Sequence, residues 1–469
     1  MNFGNEISRR ALLVGGGQGL LGIALRNLLA GDRNEVPHFA PRAKRVVWMV
    51  QNGAPSHVDL FDDKPTLRGR QGEQIPDSVA AGRRFSTMTG GQTARPMLGS
   101  IAKFARHGAS GATVSDLLPH TAAIADRLCF VKSMHTTQVN HAPAITFLLT
   151  GSERPGRPTL GSWLSYGLGR MSDDLPTYVA LTSRDREASC GQIFYDWYWG
   201  SGFLPSAHQG VKFRGEGDPV LYLQDPSGID RALRGAMVGD VGALNALRHA
   251  VVGDPEIVAR TQRYELAYAM QASVPELCDL SAEPDSVLAS YGPDVRRKGS
   301  YAYNCLMARR LLERGTRFVQ IMHAGWDQHR NLDTQLAIQC RDTDAPSAAL
   351  VLDLARRGLL DDTLVVWGGE FGRTPFVQGE IDAKNRGRDH HPYAFTIWLA
   401  GGGVRAGTTY GESDEFGFDV AKDGVHVHDL QATVLHLLGI DHERFTYAFQ
   451  GRNYRLTDVH GNVVRGLLG

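Results

Sequence analysis

Five segments concentrate side chains able to do acid–base or metal chemistry. They are Asn52-Gly53-Ala54-Pro55-Ser56-His57-Val58-Asp59, Ser133-Met134-His135-Thr136-Thr137-Gln138-Val139-Asn140-His141, His323-Ala324-Gly325-Trp326-Asp327-Gln328-His329, Gly369-Glu370-Phe371-Gly372-Arg373, and Arg388-Asp389-His390-His391. Imidazole and carboxylate are ligands for zinc, manganese and similar ions. Two such ions a few ångströms apart can activate a nucleophile and neutralise a phosphate or sulfate. On this ground His57, Asp59, Asp327, His329, Glu370, His390 and His391 are candidate ligands of a divalent metal (zinc, manganese or calcium). A single His or Asp at a strand end more often bonds the nearby backbone. Five segments in equivalent places carry more weight than any one. Three roles stand open for His141: metal ligand, nucleophile passing through a phosphohistidine, or a structural histidine tying down a loop. The planar fork of Arg373 suits an anionic group, and a plain ion pair is its competing role.

These segments need rigid elements to position them. Four follow a short apolar run and the fifth precedes one. The runs Arg45–Val50, Cys129–Val131, Tyr178–Leu181, Phe318–Ile321, Leu364–Trp367 and Phe395–Leu399 are rich in β-branched and aromatic residues and bounded by turn residues, which reads as strands buried on both faces. Helical periodicity lies between them, at Tyr301–Arg314, Ala345–Arg356 and Leu430–Leu438, with Gly439 where a helix-ending glycine belongs. Such alternation predicts an α/β fold, a doubly wound, mostly parallel sheet with helices on both faces and its site at the carboxyl ends of the strands. The stretch 183–260, rich in Gly, Asp and Arg, reads as loops and an insertion over that site. His426 and His428 fall in the loop before the last helix, with Asp429 as its N-cap.

The bulk properties narrow the function. The chain has 469 residues, 42% hydrophobic and 21% charged, which is a globular composition. Lys+Arg 50 against Asp+Glu 50 leaves no basic excess, so a dedicated nucleic-acid binder is not expected. The five cysteines are scattered, without CxxC or zinc-knuckle spacing, and do not describe a disulfide scaffold. Ser8-Arg9-Arg10-Ala11-Leu12-Leu13 followed by an apolar, Gly-rich stretch reads as a twin-arginine (Tat) export signal over 1–35, an amphipathic helix being the plainer alternative. Residues 36–43 read as a linker and 44–469 as the α/β domain. No later run is long enough to span a bilayer, so a periplasmic or secreted protein without a transmembrane span is expected.

Longer motifs carry a resemblance. Gly358-Leu359-Leu360-Asp361-Asp362-Thr363-Leu364-Val365-Val366-Trp367-Gly368-Gly369-Glu370-Phe371-Gly372 looks like the sulfatase segment GLLDNTLVVFTSDHG, and 429–439 is similar to the sulfatase C-terminal DLAPTLLDLLG. Residues 318–329 resemble the strand and D-x-x-x-H loop of the related phosphomutases. The best total match, from about 44 to 469, is to the DUF1501 family, whose patterns GGPSHLDLFDPKP, SMHT…NHxPA, GWDTH, GEFGRTP, GRDHWP and VHVHDLHATILHLLG all have counterparts here. The resemblance implies an alkaline phosphatase/sulfatase-like fold and a hydrolase of phosphate or sulfate esters, acting on a small molecule or a saccharide. It places His390 or His391 at the superfamily's late metal histidine and lets His57 and Asp59 stand in for its first aspartate. It also sets His141 at the Cys/Ser nucleophile position and Ile145 at the following arginine, so no formylglycine can form. Those losses favour the second expectation, a catalytically degenerate relative that binds a ligand or partner.

Overall fold

The computed structural model describes residues 36–184, 192–221, 223–382 and 384–469; the segment 1–35, read as an export signal, lies outside them. Nine strands form one sheet: β1 (Arg45–Asn52), β2 (Leu128–His135), β3 (Tyr178–Arg184), β4 (Val211–Phe213), β5 (Phe318–Ala324), β6 (Thr363–Gly368), β7 (Phe395–Ala400), β8 (Thr408–Tyr410) and β9 (Val425–His426). The spatial order is β8-β2-β7-β6-β1-β5-β3-β4, with β9 also on β2. All neighbours are parallel except β7, which runs antiparallel to β2 and β6. That reversal matters for the site. The carboxyl ends of β1, β5 and β3 align, with Asn52 beside Ala324 and Arg184 beside Ala324. Since β7 is inverted, its amino end, Phe395 opposite Met134, reaches the same rim. The segment before β7 therefore joins the segments that follow the other strands.

Among the described residues there are seven longer helices: α1 (His141–Thr150), α2 (Leu160–Leu168), α3 (Arg231–Val252), α4 (Pro255–Cys278), α5 (Tyr301–Glu313), α6 (Leu332–Arg356) and α7 (Val427–Leu437). Side chains alternate across a strand, and the core divides accordingly. Val47, Met49, Val319, Ile321, Val365 and Trp367 pack with α4, α5 and α6. Val46, Trp48, Val50, Met322, Leu364 and Val366 pack with α1, α2 and α7. The sheet is thus doubly wound, as the strand–helix alternation predicts.

Three local expectations need correction. First, α6 begins thirteen residues before the expected Ala345, at Leu332. Pro346, a residue suited to a first helical turn, sits inside it, and the polar half before it buries Leu332, Leu336 and Cys340. Second, the stretch read as loops contains α3 and the start of α4. Asp230 caps α3, Gly253 ends it in the left-handed region, and Asp254-Pro255 opens α4. No residue of α3 is buried, so its apolar positions did not mark a core face. Third, the N-cap of α7 is His426, and Asp429 closes the capping box from N3 by accepting from the His426 amide. Residues 36–43, read as a linker, are held by backbone bonds from His38, Arg42 and Ala43 to the end of α7.

Among the described residues no helix is long and apolar enough to cross a membrane. Four cysteines, Cys129, Cys278, Cys305 and Cys340, are free thiols; Cys190 lies outside the described residues. Leu306 on α5 is fully buried against the sheet. Leu306→Ala should destabilise the chain by about 3 kcal/mol through lost burial and a residual cavity, seen as a lower urea midpoint at unchanged slope.

Candidate metal centre

At the rim, His141 opens α1, Asp327 and His329 lie in the loop after β5, and His390 precedes β7. One ligand atom from each lies within 4.8 Å of all the others. Asp327 Oδ1 is 3.1 Å from His141 Nε2, 2.9 Å from His329 Nε2 and 3.4 Å from His390 Nε2. His329 Nε2 and His390 Nε2 are 2.9 Å apart.

The other nitrogen of each ring decides what these atoms are. His390 Nδ1 donates to the Val139 carbonyl at 2.7 Å, His329 Nδ1 to Gln378 Oε1 at 2.5 Å, and His141 Nδ1 to Glu370 Oε1 at 2.5 Å. Each partner is an oxygen acceptor, so each neutral ring carries its proton on Nδ1. Three Nε2 lone pairs and a carboxylate oxygen then face one another. His141 Nε2 is buried and makes no hydrogen bond of acceptable geometry among the described residues. Acceptors crowded at such distances repel unless a cation or proton lies among them. Glu370, in the loop after β6, is fully buried; Oε1 also accepts from the Gly53 amide at 3.0 Å, and Oε2 has no partner among the described residues.

The electrostatics agree. Burial disfavours charge on Asp327, yet the Arg373 guanidinium and the three histidines outweigh it and hold the carboxyl well below its usual range. Burial likewise disfavours a charged His141, but Asp327 and Glu370 on either side raise its pKa. His390 is pushed down to about 4, by burial first and then by the charges of His141 and Arg373. Between these two rings an added proton is therefore favoured on His141, set between two carboxylates, over His390.

Two roles stood open for Arg373, binding an external anion or forming an ion pair, and the geometry shows the ion pair, with Asp327. It is fully buried and its fork is occupied by the chain. It donates to the carbonyls of Gly53, Ala54, Arg388 and Trp326 and to Asp327 Oδ1. Gly53, with φ +107°, makes the fit possible, since a Cβ there would meet the Asp327 amide nitrogen at 2.6 Å. Asp59, His57 and His391 do not join the cluster. Asp59 forms a two-pronged buried pair with Arg388 at 2.7 and 3.0 Å and accepts from Ser56 and the Ile101 amide. His57 Nε2 bonds the Gly417 carbonyl at 2.8 Å, and His391 Nε2 bonds that of Phe418. Burial lowers both imidazoles, His391 to about 3, as neutral rings held by carbonyls require.

Sequence reasoning missed three groups at the centre. Gln378 and the Val139 carbonyl orient two rings, and Gln192 donates to Asp327 Oδ2 at 3.0 Å. No spacing marks them, because each acts across a tertiary contact. Phe371, beside Glu370, packs on the rings of His141 and His390 with centroids 4.9 Å away in both cases.

Fold and cluster define a class: a doubly wound α/β protein whose sheet rim gathers three histidines and an aspartate of metal-ligand composition. Within it, the chain belongs to the family described as Protein of unknown function (DUF1501), whose model matches residues 43–468. No curated protein sequence matches it. Several solved structures are similar at low identity. The PsFucS1 sulfatase from Pseudoalteromonas sp. is 12% identical, with 94% of this chain and 77% of that chain covered and a TM-score of 0.36. The lipoteichoic acid synthase LtaP from Listeria monocytogenes is 12% identical, with 89% and 78% covered and a TM-score of 0.35. The C-terminal periplasmic domain of EcEptC from Escherichia coli, in complex with Zn, is 9% identical, with 86% and 84% covered and a TM-score of 0.34.

The Asp59–Arg388 pair sets a pH prediction. Asp59 is buried, and Arg388 lowers its pKa in spite of that burial. Its contribution is therefore present above the unfolded carboxyl value and is lost as pH falls through the lower folded value. Arg388→Gln leaves the carboxylate unpaired and should cost about 3–5 kcal/mol at pH 7. The gap to the unsubstituted protein should narrow below about pH 4, measured by urea unfolding across pH.

Proposed function

We propose that the protein is an exported metal-dependent hydrolase of phosphate or sulfate esters, alkaline phosphatase/sulfatase-like in plan but without the Cys/Ser nucleophile. The observation that supports it is the set of three inward Nε2 lone pairs around Asp327 with all three Nδ1 protons already committed to oxygen. Three imidazoles and one carboxylate suit zinc better than calcium, which takes oxygen ligands. His141, Asp327, His329 and His390 are the proposed ligands. When bound, such a cation lowers the pKa of a coordinated water and neutralises developing charge on an ester oxygen.

The chain's own contribution is orientation and exclusion of solvent. Glu370, Gln378 and Val139 fix the tautomer of each histidine, Arg373 holds Asp327 Oδ1, and Phe371 covers one side of the rings. No cluster residue offers a hydroxyl or thiol, so water is the nucleophile of this reading, and His141 acts as ligand rather than as attacking group. Release to the periplasm or beyond rests on Ser8-Arg9-Arg10 and the apolar stretch after it.

A second reading, a ligand-binding relative without turnover, is favoured by one fact: the Arg373 fork is filled by the chain and leaves no anion receptor at that position. Metal analysis with activity on aryl phosphate and aryl sulfate separates the two. The hydrolase predicts about one zinc per chain, lost in the Asp327→Ala/His329→Ala double variant together with turnover, and about ten- to hundred-fold weaker zinc affinity in Glu370→Gln. Stoichiometric metal without turnover on either ester series would leave the binding protein. For export, residues 1–35 fused to a reporter should carry it across the membrane, and Arg9→Lys with Arg10→Lys should stop it, read by cell fractionation.

A further inference from the structure

Beside the metal centre, at the carboxyl ends of β3 and β4, lies a pocket of about 580 Å³. Arg184, Lys212, Arg214, Arg297 and Lys298 line it, with Glu216 as its one acidic residue among the described residues. In a chain of zero formal charge this is a marked local excess. Arg297 is paired with Asp294 at 3.1 Å. Among the described residues, the other four basic side chains form no ion pair. Two are held by aromatic faces instead: the Arg184 guanidinium lies 5.0 Å from the Phe194 ring, and the Lys212 ammonium 5.1 Å from that of Trp199. Aromatic faces position a cation without cancelling its charge. The backbone is shaped for the purpose as well. Gly215 and Gly299 touch, such that a Cβ on either would come within 2.9 Å of the other's backbone. This close approach brings Arg214 and Lys298 to one cavity. Unneutralised cations gathered in a concavity repel one another and focus a positive field on whatever enters.

The pocket is tied to the centre by a short piece of chain. Gln192 donates to Asp327 Oδ2, while Ile193 and Phe194 line the pocket. Two residues span at most about 7 Å. Ser183, also in the lining, bonds His323 on β5, the strand that leads to Asp327, at 2.9 Å. We propose that this pocket is a subsite for a second anionic group of the substrate, a sulfate, phosphate or carboxylate bound next to the cation site. The substrate is then a polyanionic ester, such as a multiply sulfated or phosphorylated saccharide, rather than a singly charged one. The cavity has the size of a small-ligand site, which favours such a molecule over an extended polymer. The assignment rests on the hydrolase reading for the bond cleaved, but not for the binding itself.

The test uses full-length protein and a fluorescein-labelled N- and O-sulfated tetrasaccharide, with its desulfated form as control. The sulfated probe should bind more tightly, and Arg214→Ala/Lys298→Ala should weaken it about ten-fold at unchanged metal content and fold. Tripolyphosphate should displace the probe if charge alone is recognised; displacement only by unlabelled sulfated saccharide would assign the subsite to the sugar-borne anion. Asp327→Ala/His329→Ala should abolish metal binding yet preserve the preference for the sulfated probe, so the two readings fail separately. Equal affinity for sulfated and desulfated probes, or undiminished binding by the Arg214/Lys298 variant, would overturn the proposal.

Discussion

A single buried guanidinium holds the rim of the sheet together. Arg373 reaches the carbonyls of Gly53 and Ala54 after β1, of Trp326 after β5 and of Arg388 before β7, and it pairs with Asp327. A fully desolvated cation is costly unless its donors are satisfied. Here carbonyls and one carboxylate do so from several loops at once. The loops cannot move apart without stripping that charge of its partners. Arg388 repeats the arrangement one layer away, binding Asp59 and the carbonyls of Leu98, Gly99 and Thr374.

The consequence is a preorganised group of acceptors. Asp327 is kept ionised by Arg373 and the histidines, and the histidine rings are turned by oxygens on their far sides. Such outer partners commonly set tautomer and orientation in metal sites. Nothing here depends on the nucleophile position that the sulfatase resemblance emphasises. His141 occupies that position but is drawn into the cluster by Glu370, while Phe371 packs on its ring.

Much of the rim was legible beforehand because strands buried on both faces read as continuous apolar runs. Asp327 and His329 could be singled out from the loop after one such run. His390 and His391 could not be told apart: adjacent residues in an extended pair point to opposite sides, and only packing shows that His390 turns toward Asp327 while His391 turns toward Phe418. Asp59 could be read as a candidate ligand and Arg373 as an anion-binding group because their partners, Arg388 and Asp327, are distant in sequence.

Local pattern thus determined the strands, most of the helices and the residue types delivered to the rim, because side-chain periodicity and turn chemistry are short-range properties. Tertiary structure alone decided which polar groups gathered in the cluster and which became struts. That choice depends on register, on the reversed direction of β7, and on which buried charge meets its complement across more than three hundred residues, as Asp59 meets Arg388. Burial then forces each polar group to find a partner, and no partner is visible until the sheet is assembled.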